Sequence, residues 1–555
     1  MAKNGMIMDC SMDRAQYILG ETCILILSVS RWPEQEPDVA LYSMQERIVD
    51  DWEVTRLNDG KCEFRYVLGR MPVGNYGVTV NAGGETASTA FDVVAQHKDV
   101  FRYGFLSNFS DGDGGSDDVD WLRRLHINAV QFYDWMYKHD DLIAPANRYK
   151  DPLGRDINLG VITEKIQACK ESGIRPFAYG AVYAANRELF EQHPEWALYT
   201  MDGQPMMFFD WLYFMNVSEE CPWSKYIVSE YTRAMTLLGF SGIHMDTYGF
   251  PKTVWNRSGE AVALAESFSK LIDSVSAAAA GIDGGNGVIF NAVNNWPVES
   301  IAKSAQDAVY IEVWPPHSTY YDLYTLIREA RYLSGKNVVL AAYMEPFKDA
   351  ATEQQHAAAE ISLLLANAVI YASGGTQLVY GECKCVLCDS YYVNHARLRE
   401  SFLEKVRAYS DFLVWYAPLL YADGGMDVSK TAANGINTDI CFASQNIVFS
   451  SDGKPGTVWT IVRESEKRLT IHLINLTGNN GLWNEPKTDP AMIGEITVRI
   501  LQDRTIKGIW SASPDCQDIR AKSLSYETER TGMGRTHTVK LPPLHLWNTV
   551  WLEMM

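Results

Sequence analysis

Between residues 100 and 375, short apolar runs typical of β-strands alternate with segments of helical periodicity. This alternation is typical of consecutive βα units built on a parallel sheet. The candidate strands number eight and cover residues 103–109, 128–135, 175–183, 241–249, 287–295, 308–315, 337–346 and 368–375. Eight such units, without a GxGxxG or Walker sequence, favour a (β/α)8 TIM barrel over an open nucleotide-binding sheet.

Segments rich in strand-like runs flank this central region on both sides. Residues 1–96 contain short runs separated by turns and without helical periodicity, which predicts a small antiparallel β-sandwich. A helix predicted near 394–418 ends the central region, and residues 426–555 return to strand patterns that predict a C-terminal β-sandwich. We therefore predict a multidomain chain with the barrel at residues 97–425.

The third βα unit is longer than the others. Its stretch 193–216 has the turn residues Asp202 and Gly203 between aromatic strand-like runs. We predict a β-hairpin there, above the C-terminal mouth of the barrel, where such loops shape binding sites.

Composition narrows the class of partner. The formal net charge of -20 argues against nucleic acid or anionic lipid, which require clustered Lys and Arg, and favours a neutral substrate. Sixteen Trp and 29 Tyr residues supply flat rings suited to sugar faces or to an ordinary core. No run of roughly 18 apolar residues predicts a membrane helix, and no secretory signal is visible. We expect a cytoplasmic protein as the sequence stands, or a secreted one if it has been trimmed; the sequence carries no signal for an oligomeric state.

Ten cysteines are scattered through the chain without a disulfide spacing. Cys383, Cys385 and Cys388 lie close together, and His395 is the only nearby candidate for a fourth zinc ligand. Free thiols in a reducing compartment are the favoured interpretation. We predict no metal and no cofactor.

Acidic residues recur at the carboxyl ends of the predicted strands, where catalytic groups of such barrels lie. These acids are Asp134, Asp246, Glu312, Glu345 and Glu382. Because a buried acid costs several kcal/mol unless it is paired, this set predicts acid chemistry. Aromatic and amide residues accompany it, among them Tyr133, Trp135, His139, Tyr179, Asn291, Trp314 and Tyr343. Carboxylates among aromatic rings and amides indicate a sugar site in which a pair of acids cleaves the bond.

Alternatives to this interpretation stay open at the level of the residues. His244 and Asp246, two residues apart on one strand, could belong to a metal-dependent hydrolase. Asp246 could instead cap the following helix or turn, which would be a structural and not a catalytic role. Trp135 and Trp314 are as well suited to a core as to a sugar platform.

Three stretches in combination resemble glycoside hydrolase family 66, which comprises endo-dextranases and cycloisomaltooligosaccharide glucanotransferases. They are "GFSGIHMDTYG" (239–249), "INAVQFYDWMYKHD" (127–140) and "YIEVWP" (310–315). "GECKCVLCDSYYVNH" (381–395) resembles the region after the last barrel strand, although its cysteines depart from the pattern. "MDRAQYILGETCILIL" (12–27) is similar to the N-terminal immunoglobulin-like domain of the family.

The resemblance implies a retaining mechanism on α-1,6-linked glucan. The nucleophile corresponds to Asp246 and the acid/base to Glu312, with carboxyl groups about 5 to 5.5 Å apart. Asp134, Glu382 and the accompanying aromatic and amide residues are then expected to bind substrate.

Whether the enzyme hydrolyses glucan or transfers glucosyl units is a separate question from the catalytic pair. Cyclising members of the family carry a carbohydrate-binding insertion within the barrel, and no unit after the third has room for one, which favours hydrolysis of dextran or isomaltooligosaccharides. A glucanotransferase and a non-catalytic glucan-binding protein are the alternatives.

Overall fold

The computed structural model describes residues 5–48, 52–57, 62–421, 425–433 and 435–555. Its N-terminal strands are β1 Ile7–Met12, β2 Tyr17–Ile18, β3 Thr22–Val29, β4 Asp38–Ser43, β5 Glu46–Ile48, β6 Glu53–Leu57, β7 Cys62–Arg70, β8 Gly74–Ala82 and β9 Glu85–Val94. Within the described residues they form one sheet of order β1-β3-β7-β6 and another of order β2-β9-β8-β4-β5. Both sheets contribute to one core, to which β3 brings Leu25 and β8 brings Val78. Alternating burial along β3 explains why its apolar residues recur with the period of a half-buried strand.

The central strands are β10 Tyr103–Leu106, β11 Ala129–Phe132, β12 Arg148–Lys150, β13 Asp156–Asn158, β14 Arg175–Ala181, β15 Ala184–Ala185, β16 Met207–Phe208, β17 Leu212–Phe214, β18 Gly242–Asp246, β19 Val254–Trp255, β20 Ala261–Val262, β21 Gly287–Val293, β22 Ala308–Glu312, β23 Asn337–Ala341, β24 Thr376–Gln377, β25 Tyr380–Gly381, β26 Cys385–Leu387 and β27 His395–Arg397. The helices are α1 Asp117–Arg124, α2 Leu159–Glu171, α3 Arg187–Gln192, α4 Pro222–Leu238, α5 Leu264–Ala279, α6 Val298–Ile301, α7 Tyr320–Ser334, α8 Glu353–Ala372, α9 Leu403–Trp415, α10 Ala417–Leu420 and α11 Ser429–Ala432.

A curled parallel sheet occupies the centre of the molecule. Its neighbours follow chain order: β10, β11, β14, β18, β21, β22, β23 and β24. Two residues after β24, β25 pairs in parallel with β10 through Gly381 and Phe105. The sheet is therefore curled, and the carboxyl ends of its parallel strands face one side.

Seven of the predicted strands coincide with strands of this sheet, and the eighth prediction is wrong. Residues 368–372 belong to α8, and the chain enters β24 only at Thr376. Nearly every residue of α8 from Ala359 onward is buried, so its apolar run has the composition of a buried strand. The helix predicted near 394–418 is also shorter, because β27 precedes it and α9 begins at Leu403.

Caps define the ends of the longer helices around the sheet. Thr319 and Asp322 form a reciprocal capping box at the start of α7, which follows the strand ending in Glu312. Gly239 ends α4 with φ of 80°, a left-handed conformation that costs glycine nothing, and the chain then enters β18. The end of α4 thus lies just before the strand of Asp246, and the start of α7 lies just after the strand of Glu312.

The long third unit forms a small sheet of order β15-β17-β16. The predicted turn at Asp202 and Gly203 is present, since the Gly203 amide donates to the Thr200 carbonyl. The β-hairpin itself lies further along, where Phe209, Asp210 and Trp211 connect β16 to β17. Phe208 of this hairpin stacks on Tyr248, two residues beyond Asp246, with ring centroids 4.3 Å apart.

The C-terminal strands are β28 Met426–Asp427, β29 Ile440–Ala443, β30 Phe449–Ser450, β31 Val458–Glu464, β32 Arg468–Asn475, β33 Ile496–Leu501, β34 Ile506–Ala512, β35 Lys522–Leu524, β36 Tyr526–Thr531, β37 Gly534–Leu541 and β38 Trp547–Met554. In the described part of the chain they form one sheet of order β28-β31-β32-β38-β34-β35, with β30 beside β31, and another of order β29-β33-β37-β36. Residues of both sheets share one hydrophobic core.

The chain is therefore multidomain and mostly β outside its curled parallel sheet, as predicted at this coarser level. The domain boundaries 1–96, 97–425 and 426–555 stay predictions. None of the helices in the described ranges is both long and apolar enough to cross a membrane.

Candidate active site

Asp246 and Glu312 are the last residues of β18 and β22, and one asparagine on the strand between them joins their side chains. The Asn291 Nδ2 amide donates to Asp246 Oδ1 at 2.6 Å and to Glu312 Oε2 at 3.0 Å. These two distances together limit the separation of the two bonded oxygens to at most about 5.6 Å. Both acids are only half-buried, so a ligand can reach them.

A tyrosine hydroxyl holds the second oxygen of each acid. Tyr179 on β14 donates to Asp246 Oδ2 at 2.6 Å, and Tyr343, just beyond β23, donates to Glu312 Oε1. Each acid thus accepts one amide and one phenol hydrogen bond. This arrangement orients both carboxyl groups before any substrate binds.

The electrostatics of the pair differ from those of exposed acids. Burial raises the pKa of Asp246 from 3.8 to about 7, and the neighbouring charge of Glu312 adds to the rise. Burial also raises the pKa of Glu312, against the lowering effect of hydrogen bonds from Tyr343, Asn291 and Trp314. Because ionising one carboxyl group opposes ionisation of the other, the titrations of the two groups are coupled.

Asp134 lies at the same edge of the sheet, two residues beyond β11. Burial raises its pKa to about 7, and Asp246 is among the nearby charges that add to this effect. Its backbone has a φ of 48°, a left-handed conformation that is uncommon for a residue with a side chain. The adjacent Tyr133 ring stacks on Tyr392 at 4.4 Å and meets Tyr179 edge-on at 5.1 Å. Asp134 and Tyr133 therefore border the acid pair.

The two predicted tryptophan platforms have different surroundings. Trp314, two residues after Glu312, is 37% exposed and lies 5.9 Å from the Tyr343 ring. Trp135 is fully buried, packs on Phe240 and donates its indole N–H to the Tyr179 carbonyl, so its ring offers no face to a substrate.

His139 and Glu382 were also predicted to bind substrate. His139 is buried near the half-exposed Trp211 of the hairpin loop, with ring centroids 6.2 Å apart, and burial lowers its pKa to about 4. Glu382 is fully buried and accepts from the amide and hydroxyl of Ser107, while His395 Nε2 lies 3.1 Å away. These contacts give Glu382 a structural role at the rim, distinct from the acid pair.

The residues that the sequence offered as candidate metal ligands make other contacts in the structure. His244 is buried below Asp246, where its Nδ1 lies 3.1 Å from the Tyr103 hydroxyl. Cys385 and Cys388 each direct the thiol at a backbone carbonyl. Within the described residues, no group of three or more His, Cys, Asp or Glu side chains could hold a metal ion.

Sequence reasoning missed several aromatic residues of this edge. Tyr392 stacks on Tyr133, shares a hydrogen bond with Tyr310, and lies near both acids. Tyr248 lies between the hairpin and Asp246. In the sequence, only its position in the "HMDTYG" motif connected Tyr248 with the site. Tyr392 is distant from both acids along the chain, so no local pattern connected it with them.

Two half-buried carboxyl groups at the carboxyl edge of a curled parallel sheet, bordered by aromatic rings, define a glycosidase-type site. A family model described as glycosyl hydrolase family 66 matches residues 12–551, and the chain belongs to this family. The family expected from the sequence motifs is therefore confirmed.

Curated relatives share low identity with the chain. A cycloisomaltooligosaccharide glucanotransferase of Niallia circulans is 24% identical in an alignment of 631 positions, gaps included, that covers 86% of this chain and 64% of the relative. A dextranase of Streptococcus salivarius is 21% identical over 79% of this chain and 60% of the relative. The chain thus spans less than two thirds of the length of these relatives.

The fold is similar to that of a solved glucanotransferase. A crystal structure of a Paenibacillus sp. cycloisomaltooligosaccharide glucanotransferase complexed with cycloisomaltoheptaose superposes with a TM-score of 0.86 and 21% identity. The match covers 99% of both chains.

Proposed function

We propose that this chain is a retaining glycoside hydrolase that cleaves α-1,6-glucosidic linkages in dextran or isomaltooligosaccharides. The observation that carries the proposal is the single Asn291 amide that bonds to both Asp246 and Glu312. Retaining enzymes need carboxyl groups about 5 to 5.5 Å apart, whereas inverting enzymes need about 6.5 to 9.5 Å to admit a water. An upper limit of about 5.6 Å between the bonded oxygens supports the retaining arrangement.

We further propose that the scaffold is a closed (β/α)8 barrel. The pairing of β25 with β10 supports closure, because it joins the two ends of the curled sheet. In a closed barrel the carboxyl ends of all strands surround one mouth, and catalytic residues lie there.

The proposed reaction begins from the form in which Asp246 is ionised and Glu312 is protonated. Asp246 attacks the anomeric carbon, the bond to the departing oxygen breaks, and Glu312 donates its proton to that oxygen. The Tyr179 and Asn291 hydrogen bonds keep the attacking carboxylate oriented.

In the second half, water replaces the departed sugar. Glu312, now ionised, accepts a proton from this water as its oxygen attacks the anomeric carbon, and the ester bond to Asp246 breaks. Glu312 can serve both steps because its raised pKa lies closer to neutrality than that of an ordinary carboxyl group.

A second candidate function is cycloisomaltooligosaccharide glucanotransfer, in which a glucan hydroxyl replaces water. The names of two similar relatives and of the solved structure favour it. The structural match covers 99% of the Paenibacillus glucanotransferase chain. The absence of a carbohydrate-binding insertion from the present chain therefore does not favour hydrolysis over transfer.

Incubation with dextran and with isomaltooligosaccharides, followed by assay of reducing ends and chromatography, tests the proposal. New reducing ends are the expected result. Cyclic products instead would support the transferase. Binding without either product would support a non-catalytic glucan-binding protein and contradict both enzymatic proposals.

Azide rescue tests the two roles separately. We expect Asp246→Ala and Glu312→Ala each to lower turnover of dextran by roughly 10³-fold or more, because each removes a group that acts on the reacting atoms. With an α-glucosyl fluoride donor and azide, Asp246→Ala should yield the inverted β-glucosyl azide and Glu312→Ala the retained α-azide. The opposite assignment of products would show that the roles are exchanged.

A further inference from the structure

A cavity of about 710 Å³ opens next to residues that follow β22 and β23, the strands that β21 separates from β18 in the sheet. Its lining includes Trp314, Tyr343, Lys348, Asp389 and Asn484. Tyr343 connects the cavity to the active site, because its hydroxyl donates to Glu312. The volume lies within the range of about 300 to 1,000 Å³ that is usual for small-molecule sites.

One wall of this cavity comes from the C-terminal region, through residues 480–487, here named the 480–487 segment. Asn484 and Pro486 of this segment line the cavity, although they follow Glu312 by more than 170 residues in the chain. Trp314 and Tyr343, which follow β22 and β23, also line the cavity. Residues of the central and the C-terminal regions therefore form it together.

Hydrogen bonds fix the 480–487 segment to the loop that carries Trp314. The Trp483 amide donates to the Ser318 carbonyl at 3.1 Å, and its indole N–H donates to the His317 carbonyl at 2.9 Å. In return, the Tyr320 amide donates to the Gly481 carbonyl at 2.8 Å. The segment thus holds both the cavity wall and the loop just beyond Glu312.

A second set of contacts fixes the segment to α8. Ser362 donates to the Glu485 carbonyl at 2.7 Å, and the Lys487 amide donates to the Ala358 carbonyl at 3.2 Å. Because contacts hold the segment on both sides of Asn484, this residue has a defined position in the wall.

The lining combines an apolar face with polar groups. The Trp314 indole is 37% exposed and provides a flat apolar surface. Around it lie the Asn484 amide and the ion pair between Lys348 and Asp389, which offer hydrogen-bond donors and acceptors. A pyranose has apolar C–H faces and a ring of hydroxyl groups, so this lining matches the chemistry of a neutral sugar.

We propose that this cavity binds the glucosyl unit that leaves on Glu312's side of the cleavage point, and equally a glucosyl acceptor that replaces water. This inference rests on the proposed function, because Glu312 protonates the departing oxygen and the sugar that carries this oxygen must lie on its side. The 480–487 segment makes the C-terminal region part of the acceptor site.

The transfer step uses the groups already described. The acceptor hydroxyl oxygen attacks the anomeric carbon of the glycosyl ester on Asp246, Glu312 takes the hydroxyl proton, and the ester C–O bond breaks as the new glycosidic C–O bond forms. Occupancy of the cavity by a sugar rather than water therefore sets the ratio of transfer to hydrolysis.

Substitution of Asn484 tests the site. Asn484→Trp places a large side chain in the cavity and Asn484→Ala removes only the amide, whereas Asn437→Ala changes an exposed amide of the C-terminal region that does not line the cavity. Each of the three substitutions is made in the wild-type enzyme and in an Asp246→Asn variant, which we expect to bind glucan without cleaving it. Circular dichroism and thermal unfolding check that each variant folds.

Two readouts are measured. In the Asp246→Asn background, calorimetric titration with isomaltooligosaccharides should give a Kd about tenfold weaker for Asn484→Trp, a smaller loss for Asn484→Ala and none for Asn437→Ala. In the active enzyme, incorporation of a reducing-end-labelled isomaltose acceptor, counted per cleavage event, should fall about tenfold for Asn484→Trp.

Unchanged binding in folded Asn484→Trp and Asn484→Ala proteins would overturn the proposed site. Unchanged labelling per cleavage event in these proteins would also overturn it. If the wild type cleaves no glucan but Asn484→Trp still weakens binding, the cavity binds glucan, whereas the proposed hydrolase function fails and with it the leaving-group and acceptor role of the cavity.

Discussion

Asn291 places two acids of different strands within reach of one substrate atom. Its Nδ2 group has two hydrogens, and the structure uses them on Asp246 and Glu312. A side chain with only one donor could not hold both acids at once. Substrate binding by Asn291 stays a prediction, and its contacts also make it a positioning residue for the acid pair.

The raised pKa of Asp246 predicts a pH-dependent effect on stability. A carboxyl group with a pKa near 3.9 in the unfolded chain and about 7 in the folded protein binds its proton more tightly when folded. Its contribution to stability is therefore greatest at low pH and decreases as the pH rises from about 4 to 7.

We expect Asp246→Asn to raise the thermal midpoint relative to wild type, and by about 2 °C more at pH 8 than at pH 5, since the amide carries no buried charge at either pH. Thermal unfolding at both pH values measures this difference. Asp283→Asn, a substitution of an exposed acid, serves as the control. If the thermal midpoints of Asp246→Asn and wild type differ by the same amount at pH 5 and at pH 8, the expectation is contradicted.

At the scale of elements, the hairpin of β16 and β17 has an unusual connection. Phe209 and Asp210 have φ of 51° and 58°, although neither is glycine, and left-handed backbone costs other residues about 1 to 2 kcal/mol. Phe209 is also 58% exposed. Since neither backbone preference nor burial explains this phenylalanine, a contact with substrate at the mouth is the role we expect for it.

Glycine substitutions separate backbone from side chain in this turn. Phe209→Gly and Asp210→Gly both relieve the left-handed strain, so neither should lower the thermal midpoint. Only Phe209→Gly removes the exposed ring, and we expect it to raise KM for long isomaltooligosaccharides about threefold or more, while Asp210→Gly leaves KM unchanged. Steady-state kinetics on short and long substrates measure this; identical KM values in the two variants would exclude a substrate contact for Phe209.

At the scale of the whole molecule, α9 joins the three regions of the chain. Asp411 on this helix accepts from Thr89 of β9 and lies 2.7 Å from His126 Nε2, next to the first parallel strands. Tyr409 donates to Asp515 of the C-terminal region at 2.8 Å. Buried polar contacts thus fix both flanking regions to the same helix.

Loss of the Asp411 carboxylate should destabilise the molecule as a whole. We expect Asp411→Ala to cost about 2 to 3 kcal/mol of unfolding free energy, because it leaves buried groups of Thr89 and His126 without this partner. Asp518→Ala, which removes a partly exposed ion pair with Arg520, should cost less than about 1 kcal/mol. Differential scanning calorimetry measures both, and equal losses in the two variants would contradict a joining role for Asp411.

Local patterns in the sequence were sufficient for the order of most elements and for the position of the acids. Strand periodicity and glycine at helix ends depend on neighbouring residues only, and they predicted seven strands of the parallel sheet. Because parallel strands end on one side, the position of Asp246 and Glu312 at strand ends already predicted that they share an edge. The eighth strand failed where a buried helix and a buried strand have the same composition.

The sequence by itself determined the family, through its motifs, and the order of most strands and helices, through spacing along the chain. The choice of Asp246 and Glu312 as the acting pair is what the family resemblance implies, and it stays a prediction. Only the tertiary structure decided that Asn291 joins the acids, that Trp135 is core while Trp314 is exposed, and that Asn484 lines a cavity beside Glu312. The physical reason is that burial and hydrogen bonding depend on which distant segments pack together, and this is a property of the folded chain.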